Sequence, residues 1–418
     1  MLYRIKDKSV SMNFYTFLYV VFVIVELLYG QLEMAYGLSP RLIMLLVMSV
    51  ICTFRSCFVF DKYWGVYIIF IFSFLVSSFI TGYGGNGIKF LIGRYFCAWV
   101  LYCSTMTVIK RYKGSRVIVY TLLSICLVDA VVTIAQYFTL PFSYSILDTL
   151  HLNITEGFED SLLYHQSLSG TMEGRSLPGL FGTAVKNGYI LAIGAVLALY
   201  NKNSKLSLFN FVVWLIIVIA LYFCQERSAF GFGLIFSSVY MFFYIRQIKA
   251  KWRFPIYLIV AILSLLIVYK LYGVILGGNS KFANKGFDMS DRLYIYDFAI
   301  DYFKSNPLGC YFEYREAAQI DPHNIFISAF LYGGIIGGLS IIVILIMQVR
   351  EGLRFISRYV NYDQSKNTKL IFLLAYGAYI ANSLFHNHSI VNGSCTAWIL
   401  WAAFISFGVK FLPSKSKV

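Results

Sequence analysis

Apolar residues fill this chain in long, uninterrupted runs. A helix needs about 20 such residues to cross a hydrocarbon core of ~30 Å, and runs of that length recur along most of the sequence. They predict about twelve spans, at 14–32, 38–57, 63–81, 88–109, 117–140, 184–200, 206–224, 228–246, 254–276, 324–348, 370–389 and 396–412. The runs are continuous where a transmembrane β-barrel would alternate. The predicted fold class is therefore all-α: a polytopic transmembrane helical bundle, a single integral membrane domain over residues 1–418. Two polar stretches interrupt the pattern, 141–182 and 277–323, and both are long enough to fold outside the bilayer.

Composition agrees, with 59% hydrophobic and 13% charged residues, against roughly a quarter charged in a soluble domain. The net charge of +15 would hint at nucleic acid in a soluble protein; here its distribution sets orientation. With the N-terminus in the cytoplasm, the cytoplasmic segments carry 23 Lys and Arg and the outer ones 10, the bias of the positive-inside rule. Both termini are then cytoplasmic, all five histidines face outward, and no nucleic-acid partner is expected. The basic start runs into an apolar stretch with no small-residue cleavage site and reads as a retained first helix. The eight cysteines form no CxxC pair, so neither a zinc ribbon nor a redox motif is predicted. Cys310 and Cys395 both face out and could pair, although nothing in their spacing brings them together.

Candidate chemistry gathers on the outer side. His323 sits in Asp321-Pro322-His323-Asn324, directly before an apolar run. Asp321 as cap and Pro322 in the first turn would put the imidazole at a helix N-terminus. There the macrodipole disfavours protonation, leaving a neutral group suited to general-base work; the plainer alternative is an interfacial anchor. Arg292 falls in the first turn of an amphipathic helix predicted from Asp291 to Lys304, with Ser290 as N-cap and Leu293, Tyr296, Ile300 and Phe303 on its apolar face. A guanidinium there suits bidentate phosphate binding, or a neighbouring carboxylate. Arg227 occupies a very short turn, Cys224-Gln225-Glu226-Arg227-Ser228, where a salt bridge to Glu226 or a snorkelling anchor competes with substrate binding. Arg94 lies inside the fourth predicted span, a depth at which an ionisable group is a functional candidate. Arg175 and Lys186 flank the Gly-rich turn leading into the sixth. His386 and His388 raise a metal site with His323, but their i, i+2 spacing divides them between helix faces and no carboxylate cluster accompanies them. The paired glycines Gly333-Gly334 and Gly337-Gly338 read as close helix contact.

The segments GRSLPGLFGTAVKNGYILA, QERSAFGFGL, DRLYIYDFAIDYFKSNPLG and above all PHNIFISAFLYGGIIGGL resemble the bacterial O-antigen polymerase and O-antigen ligase family. The likeness covers roughly Arg175 to Gly338, and the twelve-span layout extends it loosely over the whole chain. It implies a metal-independent, inverting membrane glycosyltransferase without cofactor, in the bacterial inner membrane with its site facing the periplasm. Its donor would be an undecaprenyl-pyrophosphate-linked glycan, and a chain-length regulator is a possible protein partner. Through this resemblance His323 looks like the catalytic histidine, Arg227 and Arg292 like the pyrophosphate-binding arginines, and Arg175 and Arg94 like further candidates. A polymerase that joins repeat units is favoured over a ligase that moves the finished polymer to lipid A core. A transporter of the same lipids would instead need charges lining a midplane path, and only Glu26, Arg94, Asp129 and Lys270 lie in the interior of predicted spans, away from their ends.

Overall fold

A computed structural model describes residues 13–29, 40–138, 140, 142–143, 145–146, 177–200, 207–245, 290–318, 321–358, 364–386 and 389–406. Among these residues every regular element is helical and none is a strand. In chain order they are α1 (Phe14–Tyr29), α2 (Pro40–Phe54), α3 (Lys62–Ile80), α4 (Gly84–Phe90), a π-helical turn (Leu91–Phe96), α5 (Cys97–Tyr112), α6 (Ser115–Tyr137), α7 (Ala184–Leu197), α8 (Leu208–Cys224), α9 (Arg227–Ile245), α10 (Ser290–Ser305), α11 (Tyr311–Ala318), α12 (Ile325–Ser357), α13 (Gln364–Ser383) and α14 (Cys395–Ser406).

Five helical stretches among the described residues are long and apolar enough to cross a membrane: Lys62–Ile80, Gly84–Tyr112, Ser115–Tyr137, Arg227–Ile245 and Ile325–Ser357. Phe14–Leu28, Pro40–Phe54, Ala184–Leu197, Leu208–Cys224 and Cys395–Ser406 are shorter apolar helices. The predicted span 254–276 and most of the predicted loop 141–182 lie outside the described residues. The second predicted loop holds α10 and α11.

Packing follows the small and aromatic residues. Helix α12 lies along α3, α14 along α5, and α9 along α7 and α13. Rings of α3, α5 and α14 interlock, with Trp64 and Tyr67 each 4.8 Å from Trp398. On α3 and α12, Phe72, Val76, Ile336, Leu339 and Ile346 are exposed. Such a perimeter is stable only where the surroundings are as apolar as the side chains.

Helix α12 is broken. Gly333 (φ −123°, ψ 17°) and Gly334 (φ 61°, ψ −159°) leave helical geometry, and the Asn306-Pro307-Leu308-Gly309 loop fills the gap. The Ile335 N–H donates to Pro307 O at 3.0 Å and the Cys310 N–H to Leu331 O at 2.8 Å. Ser73 of α3 donates to the Gly333 carbonyl at 2.5 Å. A Cβ on Gly334 would fall 2.5 Å from Pro307 O and from the Leu308 carbonyl carbon. The close-contact reading of these glycines therefore needs correction at the first pair: Gly333-Gly334 opens the helix to admit a loop. Gly337 does approach α3, where a Cβ would meet Phe70 at 3.3 Å.

Glu26 and Asp129, two of the charged groups in the predicted spans, have local partners. Arg41 Nε lies 2.6 Å from Glu26 Oε2. Asp129 of α6 accepts the Leu180 N–H at 2.8 Å, and Gln136 brackets Gly179 with two bonds of 2.9 Å. Together they fasten the Pro178-Gly179-Leu180 turn to α6. No disulfide joins Cys310 and Cys395: both thiols are free. Cys310 is packed beside the break in α12 through its bond to Leu331, whereas Cys395 lies against Cys97 and Glu26, their ligand atoms within 4.8 Å of one another.

Candidate functional site

The segment before α12 is fixed first by its cap. Asn324 Oδ1 accepts the N–H groups of Phe326 (2.9 Å) and Ile327 (3.2 Å), two of the four donors that a helix start leaves open. Its Nδ2 donates to Leu384 O at 3.1 Å, tying this corner to the end of α13. Asn324, not Asp321, is therefore the N-cap, and His323 stands one residue outside the helix. Asp321 is engaged elsewhere: it accepts from the Tyr311 hydroxyl at 3.0 Å and lies 3.9 Å from Arg315 Nη1. Burial, with Asp321 adding to it, holds the Tyr311 phenol above its ordinary value, so at neutral pH it remains a donor. Ser328 Oγ, from the first turn of α12, donates to Pro322 O at 3.3 Å.

Helix α10 is attached to the same segment. The Tyr296 hydroxyl donates to the His323 carbonyl at 3.1 Å. Arg292 occupies the first turn of α10, one turn before Tyr296, and the helix begins at Ser290 itself, where the sequence reading placed its cap. The predicted apolar face meets the protein only in part. Phe303 packs on Phe330 of α12 with ring centroids 5.3 Å apart and Tyr296 is half-buried. Leu293 and Ile300 are exposed, while Ala299 is fully buried and Phe298 and Tyr302 pack on Tyr314 of α11 with ring centroids 5.8 and 5.9 Å apart. Apolar side chains beside a bilayer can sort between lipid and protein, so periodicity alone does not say which face meets the protein.

On the other side of His323 stands His386, at the end of α13. Their ring centroids are 5.9 Å apart and the planes nearly perpendicular, at 82°. His386 is buried, and its Nε2 lies 3.0 Å from Ser228 Oγ and 3.4 Å from Glu226 Oε2. Both partners come from the Gln225-Glu226-Arg227-Ser228 turn. Helix α8 ends there because Gln225 adopts the left-handed conformation (φ 57°), and α9 starts at Arg227. Gly188 of α7 leaves the space this turn needs: a Cβ there would fall 2.9 Å from the Cβ atoms of Glu226 and Ala229. Glu226 thus faces His386, which the salt-bridge alternative for Arg227 did not foresee.

The fold accordingly brings the Arg227 turn, His386, His323 and the first half of α10 to one end of the bundle. Arg94 sits on the π-helical turn at the edge of this region, its guanidinium carbon 4.3 Å from the Phe90 ring centroid. Phe90 in turn is 6.2 Å from Tyr311, the residue that holds Asp321. Arg175, His151, His165 and His388 lie outside the described residues. Lys186 is engaged with α1: its Nζ donates to Leu27 O at 3.0 Å. The sequence reading missed Tyr296 and Asn324 as fixers of the His323 segment; the PHN triplet held the signal for Asn324, since Asn is a strong N-cap. It named His386 only as a metal candidate and Glu226 only as a partner for Arg227.

Residues 190–342 match the family model of the O-antigen ligase domain, a stretch that contains Arg227, Arg292 and His323 but neither Arg94 nor His386. The match agrees with the O-antigen ligase and polymerase family, whose members are glycosyltransferase-like enzymes acting on lipid-linked glycans. No curated protein matches the chain.

Proposed function

We propose that this chain, with its O-antigen ligase-type domain at residues 190–342, is a polysaccharide polymerase. It joins oligosaccharide repeat units carried on undecaprenyl pyrophosphate, at the periplasmic face of the bacterial inner membrane. The observation that supports glycosyl transfer from such a donor is the convergence, inside the matched stretch, of a histidine, an arginine-bearing turn and an arginine-bearing helix at one end of an apolar bundle; the choice of a polymerase rests on the residue usage, with 33 Tyr and 38 Phe. Such a site suits a donor whose lipid tail stays in the bilayer and whose pyrophosphate is already a leaving group.

In the proposed reaction His323 removes the proton from a hydroxyl of the acceptor sugar. The freed oxygen attacks the anomeric carbon of the donor, and the bond from that carbon to the pyrophosphate oxygen breaks. The pyrophosphate departs with the electron pair, its charge met by Arg227 and Arg292, with Arg175 and Arg94 as further candidates. One base without a second nucleophile fits a single displacement with inversion, and no metal or cofactor enters the scheme. A chain-length regulator is the protein partner this activity would take.

The description of the matched family favours a second reading, transfer of finished polymer to lipid A core by a ligase. One experiment separates them. His323→Ala is introduced in the native host, membrane insertion is confirmed, and the surface polysaccharide ladder is examined on a gel. The polymerase is expected to leave single repeat units on core. Full-length polymer retained on the undecaprenyl carrier would identify the ligase, and an unchanged ladder would remove His323 from the mechanism.

A further inference from the structure

Glu226 and His386 are costly to hold where they stand. Their side chains are 9% and 7% exposed, and a carboxylate so buried loses several kcal/mol of hydration unless charge and hydrogen bonds restore it. Their separation, 3.4 Å between Glu226 Oε2 and His386 Nε2, together with Ser228 at 3.0 Å on the same nitrogen, gives that compensation. The arrangement does not end there, because the other side of His386 is occupied by His323, 5.9 Å between ring centroids. Helix α7 accommodates the carboxylate through Gly188, and Tyr189, the next residue, closes over His386 at 6.2 Å.

We propose that the Glu226–His386 pair is a positioning element for His323, orienting its ring and supplying the negative charge that balances the imidazolium formed there during glycosyl transfer. The inference rests on the reading of His323 as the base. When the acceptor O–H bond breaks, its electron pair forms the new C–O bond and its proton becomes an N–H bond of His323. The positive charge so created arises beside the Arg227-bearing turn and the Arg292-bearing helix, whose arginines carry charge of the same sign. A carboxylate reached through one imidazole offsets it, much as a carboxylate on a metal-bound histidine fixes the ring and raises its basicity. The proton then leaves to water, restoring the neutral base. A buried carboxylate whose task was to hold Arg227 for the donor would instead act on donor binding.

The test uses the full chain in nanodiscs and undecaprenyl-pyrophosphate-linked repeat units extracted from the native host lacking this protein. Glu226→Gln, which keeps the shape and removes the charge, should lower kcat roughly ten- to a hundredfold and leave the donor KM within about twofold. Glu226→Asp should recover part of the loss. His386→Gln should reproduce it, and the Glu226→Gln/His386→Gln double variant should be no worse than the poorer single, as for residues that act as one unit. A raised KM with kcat intact, losses that multiply in the double variant, or full activity of Glu226→Gln would each overturn the inference. Should Glu226→Gln fail to insert, His386→Gln carries the same kcat and KM reading. His323→Ala runs in parallel: full activity there defeats the base assignment itself, whereas an inactive His323→Ala beside a normal Glu226→Gln defeats only the role of the pair.

Discussion

Replacing Gly334 by alanine probes the device that holds α10, α11 and α12 together. The residue sits at φ 61°, ψ −159°, a region essentially reserved for glycine, and forcing another residue into it costs about 1–3 kcal/mol. The new methyl would also lie 2.5 Å from Pro307 O and from the Leu308 carbonyl carbon. Those are backbone atoms and cannot rotate away, so the Asn306–Gly309 loop must move. Its two bonds to α12, of 3.0 and 2.8 Å, are then lost or stretched, at about 1 kcal/mol each. The total is about 3–5 kcal/mol. Purified parent and variant would be compared in one detergent at one scan rate by intrinsic tryptophan fluorescence, since membrane proteins often unfold irreversibly. Gly231→Ala is the control, because a Cβ at Gly231 meets nothing within 4 Å and should be neutral to mildly stabilising. Gly334→Ala should unfold well below both. Coincident transitions for all three proteins would refute the argument that the loop occupies the break.

Two further outcomes follow from other contacts. Glu26→Ala takes from the largely covered Arg41 its 2.6 Å ion pair and should cost up to about 3–5 kcal/mol, seen as a lowered unfolding transition; Glu26→Ala/Arg41→Ala should recover part of it. Tyr296→Phe removes only the bond to the His323 carbonyl, worth about 1 kcal/mol, so it should barely move the unfolding transition. It should nevertheless lower polymer yield, because it frees α10 from the histidine segment; full yield would mean that this bond does not position the site.

The apolar runs made the bundle legible, because a span needs only length and composition. The Pro-His-Asn triplet and the Gln-Glu-Arg turn were legible too, as polar punctuation between such runs. What failed was the choice among local partners. Asp321 and Asn324 both satisfy the chemistry of a cap, and the outcome depends on Tyr311 and Arg315, which reach back to Asp321 from a different helix. The face of α10 was legible only in part, at Tyr296 and Phe303 and not at Leu293 and Ile300, for a related reason: a periodic apolar stripe does not say whether lipid or protein covers it. His386 next to His323 belongs to no local pattern, since the ring arrives from α13 and its partners from the turn between α8 and α9. Paired glycines read as packing because their spacing is the same whether a helix closes up or opens. Only the loop that fills the gap tells the two apart.

The break in α12 also bears on the order of assembly. It lies about 15 Å along the helix from Asn324, deep enough that an unfilled gap would leave peptide groups facing hydrocarbon. The loop that fills it is made shortly before α12 itself, so its partner is at hand as soon as the broken helix is synthesised. Ser73, which donates to the Gly333 carbonyl at the break, belongs to a helix made much earlier. The helix can therefore enter the membrane with its flaw already covered, and the end of the bundle that holds His323 does not wait on α13 or α14 for its backbone to be complete.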